Sequence, residues 1–380
     1  MLSSDYRQTR DDPSSVCGVT GVVLNPRGSL AFNGAVGATV PAAQVASEDR
    51  LLDATRFPSE GYWAFCRFQN DAIPAVRLGF QRGGFNAGAN ACTPNPSFLQ
   101  LHLEVMTREG AMLWLPSGEY AAERVESAST AFNIRLTNPH QEIFSFAGWP
   151  QIHCQFRSDD RYLEVDLEFD LGSVTVLPDG ILPHCVFAMF ESMGNVQGTI
   201  RSGGRATAVR GKGFIDHTRI IERQNPVLAR RMSLYTTMYF EDGSGLYGYH
   251  AVDANNQPIA GYCFGVFLTP EGQGRFLTDA TLLQLVLDED RIAESWRLRY
   301  RCDDGSIEVQ ITVRRQPILR SWGSPKAPQR RNQFSILPLV LDGLAQFAGA
   351  DGRTRTLRGI GLSEFYDSEL WPVDPMARLD

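Results

Sequence analysis

The chain has 380 residues, of which 43% are hydrophobic and 21% are charged, and this balance excludes an intrinsically disordered protein. The length exceeds the roughly 100–200 residues of one ordinary domain, so two domains are expected. With 36 Lys and Arg against 43 Asp and Glu, the net charge is −7, which gives no support to a nucleic-acid-binding surface.

The cysteines and the hydropathy indicate the compartment. The seven cysteines form no C-x-x-C pair and show no zinc-finger spacing to a histidine (positions 17, 66, 92, 154, 185, 263 and 302). Reduced, mostly buried thiols of a cytoplasmic protein are therefore expected. Residues Met1–Arg10 are polar without a signal-peptide pattern, and no window reaches about 18 uninterrupted apolar residues. The sequence predicts a soluble protein without stable membrane insertion.

The first half of the chain has the patterning of β-strands. Residues 1–50 are rich in Ser, Gly, Ala, Asp and Pro, which predicts a flexible or loosely packed arm. From about Phe57 onward, apolar and polar residues alternate, and turn residues interrupt the alternation every 8–12 positions or so. Leu163–Leu171 alternates strictly and carries an acidic residue at 164, 166, 168 and 170. It is predicted to be a half-buried antiparallel strand with one solvated face.

The second half continues in the same style. Asp242-Gly243 and Asn255-Asn256 separate three β-like runs and predict hairpins. The exception is Leu337–Phe347, where apolar residues fall three or four apart and predict a short helix. The predicted fold class is all-β, with two antiparallel barrels or sandwiches and few short helices. We divide the chain into the arm, an N-terminal β domain at 51–185 and a C-terminal β domain at 186–380.

Motifs for cofactors and metals are not convincing. Residues 243–248 satisfy G-x-G-x-x-G, but a dinucleotide site needs that string between a parallel strand and a helix. Here it follows a hairpin signal between two β-like runs. The six histidines show no paired ligand spacing. No cofactor and no metal site are predicted.

The segment Gly211–Arg219 holds the candidate chemistry. Gly211 and Gly213 bracket a lysine, which indicates a bulge or the close approach of another backbone. Asp216 and His217 follow, and in an extended strand they point to opposite faces. Asp216 is then either an acid–base group at a pocket mouth or between domains, or a structural group that satisfies buried backbone.

These residues carry a resemblance to a known family. Gly211-Lys-Gly-Phe-Ile-Asp216-His217, preceded by Phe190-Glu191 and Gly198-Thr199-Ile200, resembles the carotenoid 1,2-hydratase and AttH-like family of lipocalin-like proteins. That family is similar to kievitone hydratase and to the lipocalin-like Diels–Alderases. Three further strings resemble the family's opening and closing strands: Glu60-Gly-Tyr62-Trp63-Ala64-Phe65, Val76-Arg77-Leu78-Gly79 and Gly359-Ile-Gly361-Leu-Ser-Glu364.

The resemblance implies two tandem lipocalin-like barrels with an apolar site inside a barrel or at their junction. The 22 Phe, 11 Tyr and 6 Trp residues suit such a site, although aromatic residues also fill barrel cores without a ligand. The implied partner is a hydrophobic small molecule, such as a polyene, an isoprenoid or a polyketide-like compound.

Two classes of function follow. The first is a cofactor-independent enzyme that hydrates, dehydrates or cyclises its substrate, including by a Diels–Alder reaction. Asp216 and Glu364 are candidate catalytic residues, because a buried carboxyl retains a proton near pH 7, and His217 is the third, with the role of orienting that carboxyl or the water. The candidate substrate-binding residues are Tyr62, Trp63, Arg219 and Tyr249, which supply π faces or hydrogen bonds. The second class is a non-catalytic lipid or pigment carrier, which needs the same apolar site without a buried titratable pair.

Overall fold

The computed structural model describes residues 22–24, 30–32, 39–41, 59–82, 98–108, 112–115, 119–121, 125–127, 133–137, 142–148, 152–158, 161–177, 187–220, 230–270, 274–289, 291–302, 305–315, 336–349 and 351–367. Every regular element in these ranges is a β-strand, which confirms the all-β prediction. Within them no helix is long and apolar enough to cross a membrane.

The first fifteen strands are β1 (Val22–Leu24), β2 (Leu30–Phe32), β3 (Thr39–Pro41), β4 (Ser59–Phe68), β5 (Ala75–Arg82), β6 (Phe98–Met106), β7 (Met112–Leu115), β8 (Glu119–Ala121), β9 (Val125–Ser127), β10 (Asn133–Thr137), β11 (Glu142–Ala147), β12 (Ile152–Arg157), β13 (Leu163–Leu177), β14 (Phe187–Ser202) and β15 (Arg205–Ile220). The remaining strands are β16 (Met232–Phe240), β17 (Gly245–Val252), β18 (Pro258–Leu268), β19 (Gly274–Leu287), β20 (Ala293–Cys302), β21 (Gly305–Arg315), β22 (Ile336–Gly349) and β23 (Thr354–Asp367).

Thirteen of the described strands form one antiparallel sheet. Its order is β7-β6-β5-β4-β15-β14-β13-β12-β11-β10-β9, with β3 added to β13 and β8 added to β6. The long-range pairing of β4 with β15 brings the two ends of this unit together, since Asp216 lies opposite Trp63 and His217 lies opposite Tyr62. The strands that the sequence analysis singled out are therefore immediate neighbours.

The last eight strands, β16 to β23, form a closed barrel in chain order, and β16 closes it against β23. Strands β14 and β15 belong to the first sheet, so the second sheet begins at Met232. The sequence-based division instead assigned residues 186–220 to the C-terminal unit.

The predicted arm, residues 1–50, lies outside the described residues except for β1, β2 and β3.

The local signals that predicted strands and turns have the expected physical basis. Gly203 and Gly204 connect β14 to β15 with φ of 55° and 81°, a left-handed conformation that favours glycine. Gly243 and Asn256 also take positive φ in the two predicted hairpins. In Leu163–Leu171 of β13 the apolar residues are buried and the acidic row lies on the wetter face, as the alternation predicted.

The prediction of a helix at Leu337–Phe347 was wrong, because these residues lie within strand β22. The strand pairs with β21 on one side and β23 on the other, so long-range hydrogen bonds override the local period. In the helix, Leu341 and Leu344 would share one face. In the strand Leu341 is buried inside the barrel, whereas Leu344 is 44% exposed on the outside.

Side chains occupy the described part of both interiors. The first sheet curls around a cluster that includes Tyr62, Phe80 and Phe146, whose ring centroids lie 4.7 to 5.8 Å apart. In the second barrel, Tyr300 fills the space left by Gly248 and Gly265, where an added Cβ would lie 2.1 and 3.0 Å from the tyrosine. A third cluster lies between the two sheets and contains residues of both.

Candidate functional site

The third cluster defines the surface where the two sheets meet, which we call the junction. From the first sheet it takes Phe65 and Phe214, and from the second barrel Tyr235, Tyr239 and Tyr247. The rings of Phe65 and Tyr235 lie 5.2 Å apart, as do those of Phe214 and Tyr247. The hydroxyl of Tyr239 donates a hydrogen bond of 3.1 Å to the main-chain carbonyl of Phe65. Apolar packing and a hydrogen bond thus join the two units.

The indole of Trp63 packs closely over Gly79, because this glycine has no side chain to keep it away from the first sheet. It lies opposite Gly79 in the pairing of β4 with β5, and a Cβ at that glycine would lie 2.6 Å from Cε3 of the indole. The guanidinium of Arg77, two residues away on the same face of β5, stacks 5.2 Å from the centre of the indole. The Arg77-Leu-Gly79 string therefore places a guanidinium and a residue without a side chain next to each other against the indole of Trp63.

Arg77 is the charged centre of the junction and contacts a carboxylate from each unit. Its Nη1 donates a 2.8 Å hydrogen bond to Oε2 of Glu104 on β6. Its Nε lies 2.5 Å from Oε1 of Glu364 on β23 of the second barrel. The side chains of Arg77 and Glu104 are 6% and 2% exposed, whereas that of Glu364 is 17% exposed. One buried guanidinium thus serves two carboxyl groups, and only Glu364 has appreciable contact with solvent.

The environment raises the pKa of the Glu104 carboxyl. Burial is the main cause, since it disfavours the charged form, and the nearby charge of Glu364 acts in the same direction. Arg77 opposes both through its charge and its hydrogen bond. Burial by itself lowers the pKa of Arg77, but the charges and hydrogen bonds of the two carboxylates together raise it, so the guanidinium stays protonated. At Glu104 the loss of solvation therefore outweighs the attraction to the arginine.

The second barrel contributes a tyrosine-rich wall. Tyr249 lies opposite Tyr235 in the pairing of β16 with β17, and their rings lie 6.0 Å apart. Burial raises the pKa of Tyr249, and Arg230 and Ser233 partly offset this effect. The phenol is therefore a hydrogen-bond donor at neutral pH. Tyr235 also lies opposite Glu364 in the pairing of β16 with β23, which brings the wall next to the charged centre.

Four of the seven sequence-predicted site residues lie at the junction. Trp63 and Tyr249 pack against its apolar cluster. Glu364 pairs with Arg77 across it. Asp216 is buried, lies opposite Trp63 and shares the face of β15 that carries Phe214, so it lies on the junction side of the sheet.

Two others, Tyr62 and His217, lie on the opposite face, inside the first unit. Their rings stack with centroids 4.1 Å apart and an interplanar angle of 18°. Tyr62 belongs to the interior cluster, and His217 is fully buried beside it. The expected split of Asp216 and His217 between two faces therefore matches the structure. Arg219 lies on β15 opposite Glu60, and its side chain lies outside the described part of the structure.

Arg77 and Glu104, which form the charged centre of the junction, were not among the residues predicted from the sequence. Arg77 appeared only within a family-like string, and Glu104 attracted no attention in a strand where a charged residue ordinarily faces solvent. The available signal was the alternation of β6, which places Glu104 and Met106 on the same outward face. That this face is covered by another barrel is not encoded in the local pattern.

The structure clarifies the weaker motifs as well. The G-x-G-x-x-G string at 243–248 lies in the hairpin between β16 and β17 and opens a strand. Among the residues that the structure describes, no group of three or more His, Cys, Asp or Glu side chains could hold a metal ion. Gly211 allows the close approach of another backbone, as predicted, whereas Gly213 makes room for a side chain. A Cβ at Gly211 would meet the carbonyl of Arg67 at 2.0 Å, and one at Gly213 would meet the ring of Phe169 at 2.9 Å.

Comparison with known proteins gives a fold but no sequence match. No family model matches the chain, and neither does any curated protein. Among solved structures, an AttH-like protein from Nitrosomonas europaea is 12% identical with a TM-score of 0.51, over 82% of this chain and 93% of that one. Kievitone hydratase from Nectria haematococca is 8% identical with a TM-score of 0.44, over 83% and 90% of the two chains. CghA, solved with Sch210972, is 10% identical with a TM-score of 0.43, over 82% and 89%.

The resemblance to AttH-like proteins predicted from the sequence is thus confirmed at the level of the fold. The arrangement of a curled thirteen-stranded sheet followed by a closed eight-stranded barrel is a tandem lipocalin-like fold, shared with the Nitrosomonas europaea AttH-like protein.

Proposed function

We propose that this protein is an enzyme that binds a hydrophobic small molecule at the junction and hydrates, dehydrates or cyclises it without a cofactor. The substrate class is a polyene, an isoprenoid or a polyketide-like compound, and the reaction belongs to natural-product metabolism in the cytoplasm. The observation that carries the proposal is the Arg77 guanidinium, which is buried between carboxyls of the two units beside the indole of Trp63.

Chemical reasons connect this geometry to the reaction. A hydratase must protonate an alkene, stabilise the resulting cation and deliver water. Asp216 and Glu364 supply the acid–base groups of this proposal, because both carboxyl-bearing residues lie at the junction, Asp216 opposite Trp63 and Glu364 against Arg77. The π faces of Trp63 and Tyr249 stabilise positive charge on the substrate. Tyr62 and His217 brace the sheet from its interior face, and Arg219 remains a proposed contact.

A cyclisation uses the same surface in another way. Apolar aromatic walls hold a flexible substrate in a folded shape close to the transition state, which lowers the entropic part of the barrier. The phenol of Tyr249, which remains protonated, donates a hydrogen bond to a substrate carbonyl and polarises it. In that case the carboxyls orient the substrate and transfer no proton.

The test begins with the molecule that the protein retains from its producing host, identified by native mass spectrometry. That molecule is incubated with the wild type, with Asp216→Asn and with Glu364→Gln. Asp170→Asn is the matched control, because Asp170 lies exposed on the wet face of the first sheet. We expect the wild type and the control to add or remove one water or form a ring, and the two junction variants to bind the molecule unchanged. Binding without conversion by every protein would instead indicate the carrier.

A further inference from the structure

We propose that Glu104 is a positioning residue that retains a proton at neutral pH and thereby leaves the charge of Arg77 to Glu364, which acts as the ionised general base of the junction. This inference rests on the proposed function and assigns separate roles to its two carboxyl groups. Glu104 acts through Arg77 and does not itself contact the substrate.

The charges in direct contact around Arg77 favour one retained proton. Arg77 carries one positive charge and contacts two carboxyl groups, Glu104 at 2.8 Å and Glu364 at 2.5 Å. With both carboxylates ionised, a buried cluster would carry a net negative charge, which is costly in a medium of low dielectric constant. With one proton bound the cluster is neutral, and each carboxyl still contacts the guanidinium.

Burial decides which carboxyl holds that proton. The side chain of Glu104 is 2% exposed and that of Glu364 is 17% exposed, so water solvates the charge of Glu364 only. Oε1 of Glu104 is buried and has no hydrogen-bond partner among the residues that the structure describes, whereas its Oε2 accepts from Arg77. An ionised carboxylate ordinarily satisfies both oxygens, and a protonated carboxyl tolerates this asymmetry better. The raised pKa of Glu104 agrees with this assignment.

The surroundings of Glu104 contain few competing charges. Among the described residues, the charged groups that act on its carboxyl are Arg77 on β5 and Glu364 on β23. Arg77 favours the ionised form, and Glu364 disfavours it. The proton on Glu104 therefore stabilises the negative charge on Glu364 by removing a like charge from the same arginine.

The consequence for the reaction is that Glu364 begins the step as a carboxylate. As the oxygen of water forms a bond to a cationic substrate carbon, one O–H bond of that water breaks and its proton passes to the carboxylate of Glu364. In the reverse direction Glu364 returns the proton as the C–O bond breaks. The proton on Glu104 stays in place throughout, so Glu104 sets the charge of the cluster without entering the proton balance.

The experiment uses the ligand-free full-length protein and is independent of any substrate. Glu104→Gln has nearly the shape of a protonated glutamate, and Glu104→Ala removes the hydrogen bond to Arg77. We expect the infrared difference between wild type and Glu104→Gln at neutral pH to show a protonated carboxyl band. We also expect Glu104→Gln to melt at or above the wild-type temperature at neutral pH, because it has no proton to lose on unfolding, and Glu104→Ala to melt below Glu104→Gln. The control is Glu168→Gln on the exposed face of β13, which should remove only ionised-carboxylate absorption.

Two results would overturn the inference: no protonated carboxyl band in the difference spectrum, or a Glu104→Gln protein destabilised as much as Glu104→Ala. If Glu104→Ala does not fold, the infrared comparison still decides. Once a substrate is known, Glu104→Gln should keep the wild-type dependence of kcat/KM on pH. These outcomes separate the two proposals, because a protonated Glu104 in a protein that converts nothing would refute the enzymatic function, and with it the role of Glu364 as a base, but not the charge assignment of Glu104.

Discussion

Replacing Arg77 by Met removes the cation that joins the two units and leaves Glu364 at the junction without its partner. Breaking a buried ion pair by deleting one member costs about 3–5 kcal/mol, and the 17% exposure of Glu364 places the expected cost near the lower value, about 3 kcal/mol. Unfolding of 380 residues carries an entropy of about 2.1 cal/mol/K per residue, or about 0.8 kcal/mol/K in all. The melting temperature should therefore fall by about 4 °C if the two units unfold together.

The assay is calorimetry, which measures the melting temperature of each protein at neutral and at acidic pH. A protonated carboxyl needs no cation, so the deficit of Arg77→Met should shrink as the pH falls through the carboxyl range. Adding Glu364→Gln to Arg77→Met should recover much of the loss, since the unpaired charge is then removed. Equal melting of wild type and Arg77→Met at every pH, or a double variant no more stable than the single one, would refute the reasoning.

Three further changes test other parts of the structure. A carboxyl whose pKa is raised in the folded protein contributes its full stability below its ordinary pKa of about 4.3, and this contribution is lost as the pH rises through the folded pKa. Glu104→Gln should therefore reduce the slope of the free energy of unfolding against pH, measured by denaturant unfolding, by up to about 1.4 kcal/mol per pH unit. Gly79→Ala places a methyl group 2.6 Å from Trp63 and should cost about 1–3 kcal/mol in denaturant unfolding while changing the tryptophan emission; an unchanged spectrum and stability would contradict the close packing. Leu341→Ala should cost about 2–5 kcal/mol and Leu344→Ala within about 0.5 kcal/mol, because only the first lies inside the barrel, whereas similar losses for both would favour a helix.

Much of the architecture is readable locally because a strand repeats every two residues. The alternation of β13 predicted both its buried face and its acidic wet face, and glycine or asparagine in left-handed conformations marked the hairpins after β14, β16 and β17. The same periodicity separated Asp216 from His217. At Leu337–Phe347 the local period was misleading, since two neighbouring strands impose their hydrogen bonds on a segment whose leucine spacing also suits a helix.

The pairing of distant strands was beyond the reach of local patterns. Residues 187–220 complete the first sheet because β15 pairs with β4, about 150 residues earlier in the chain. The same holds for the site: Glu104 is an ordinary outward-facing residue of β6 until the second barrel covers that face and Glu364 reaches Arg77.

The sequence by itself determined that this chain is built from antiparallel strands, and it offered seven candidate site residues, four of which are Trp63, Asp216, Tyr249 and Glu364. Only the tertiary structure decided that these four lie where the two units meet and that Arg77 and Glu104 complete the group. The physical reason is that β-strand formation follows a short-range pattern, whereas the burial of a charge depends on which surface packs over it.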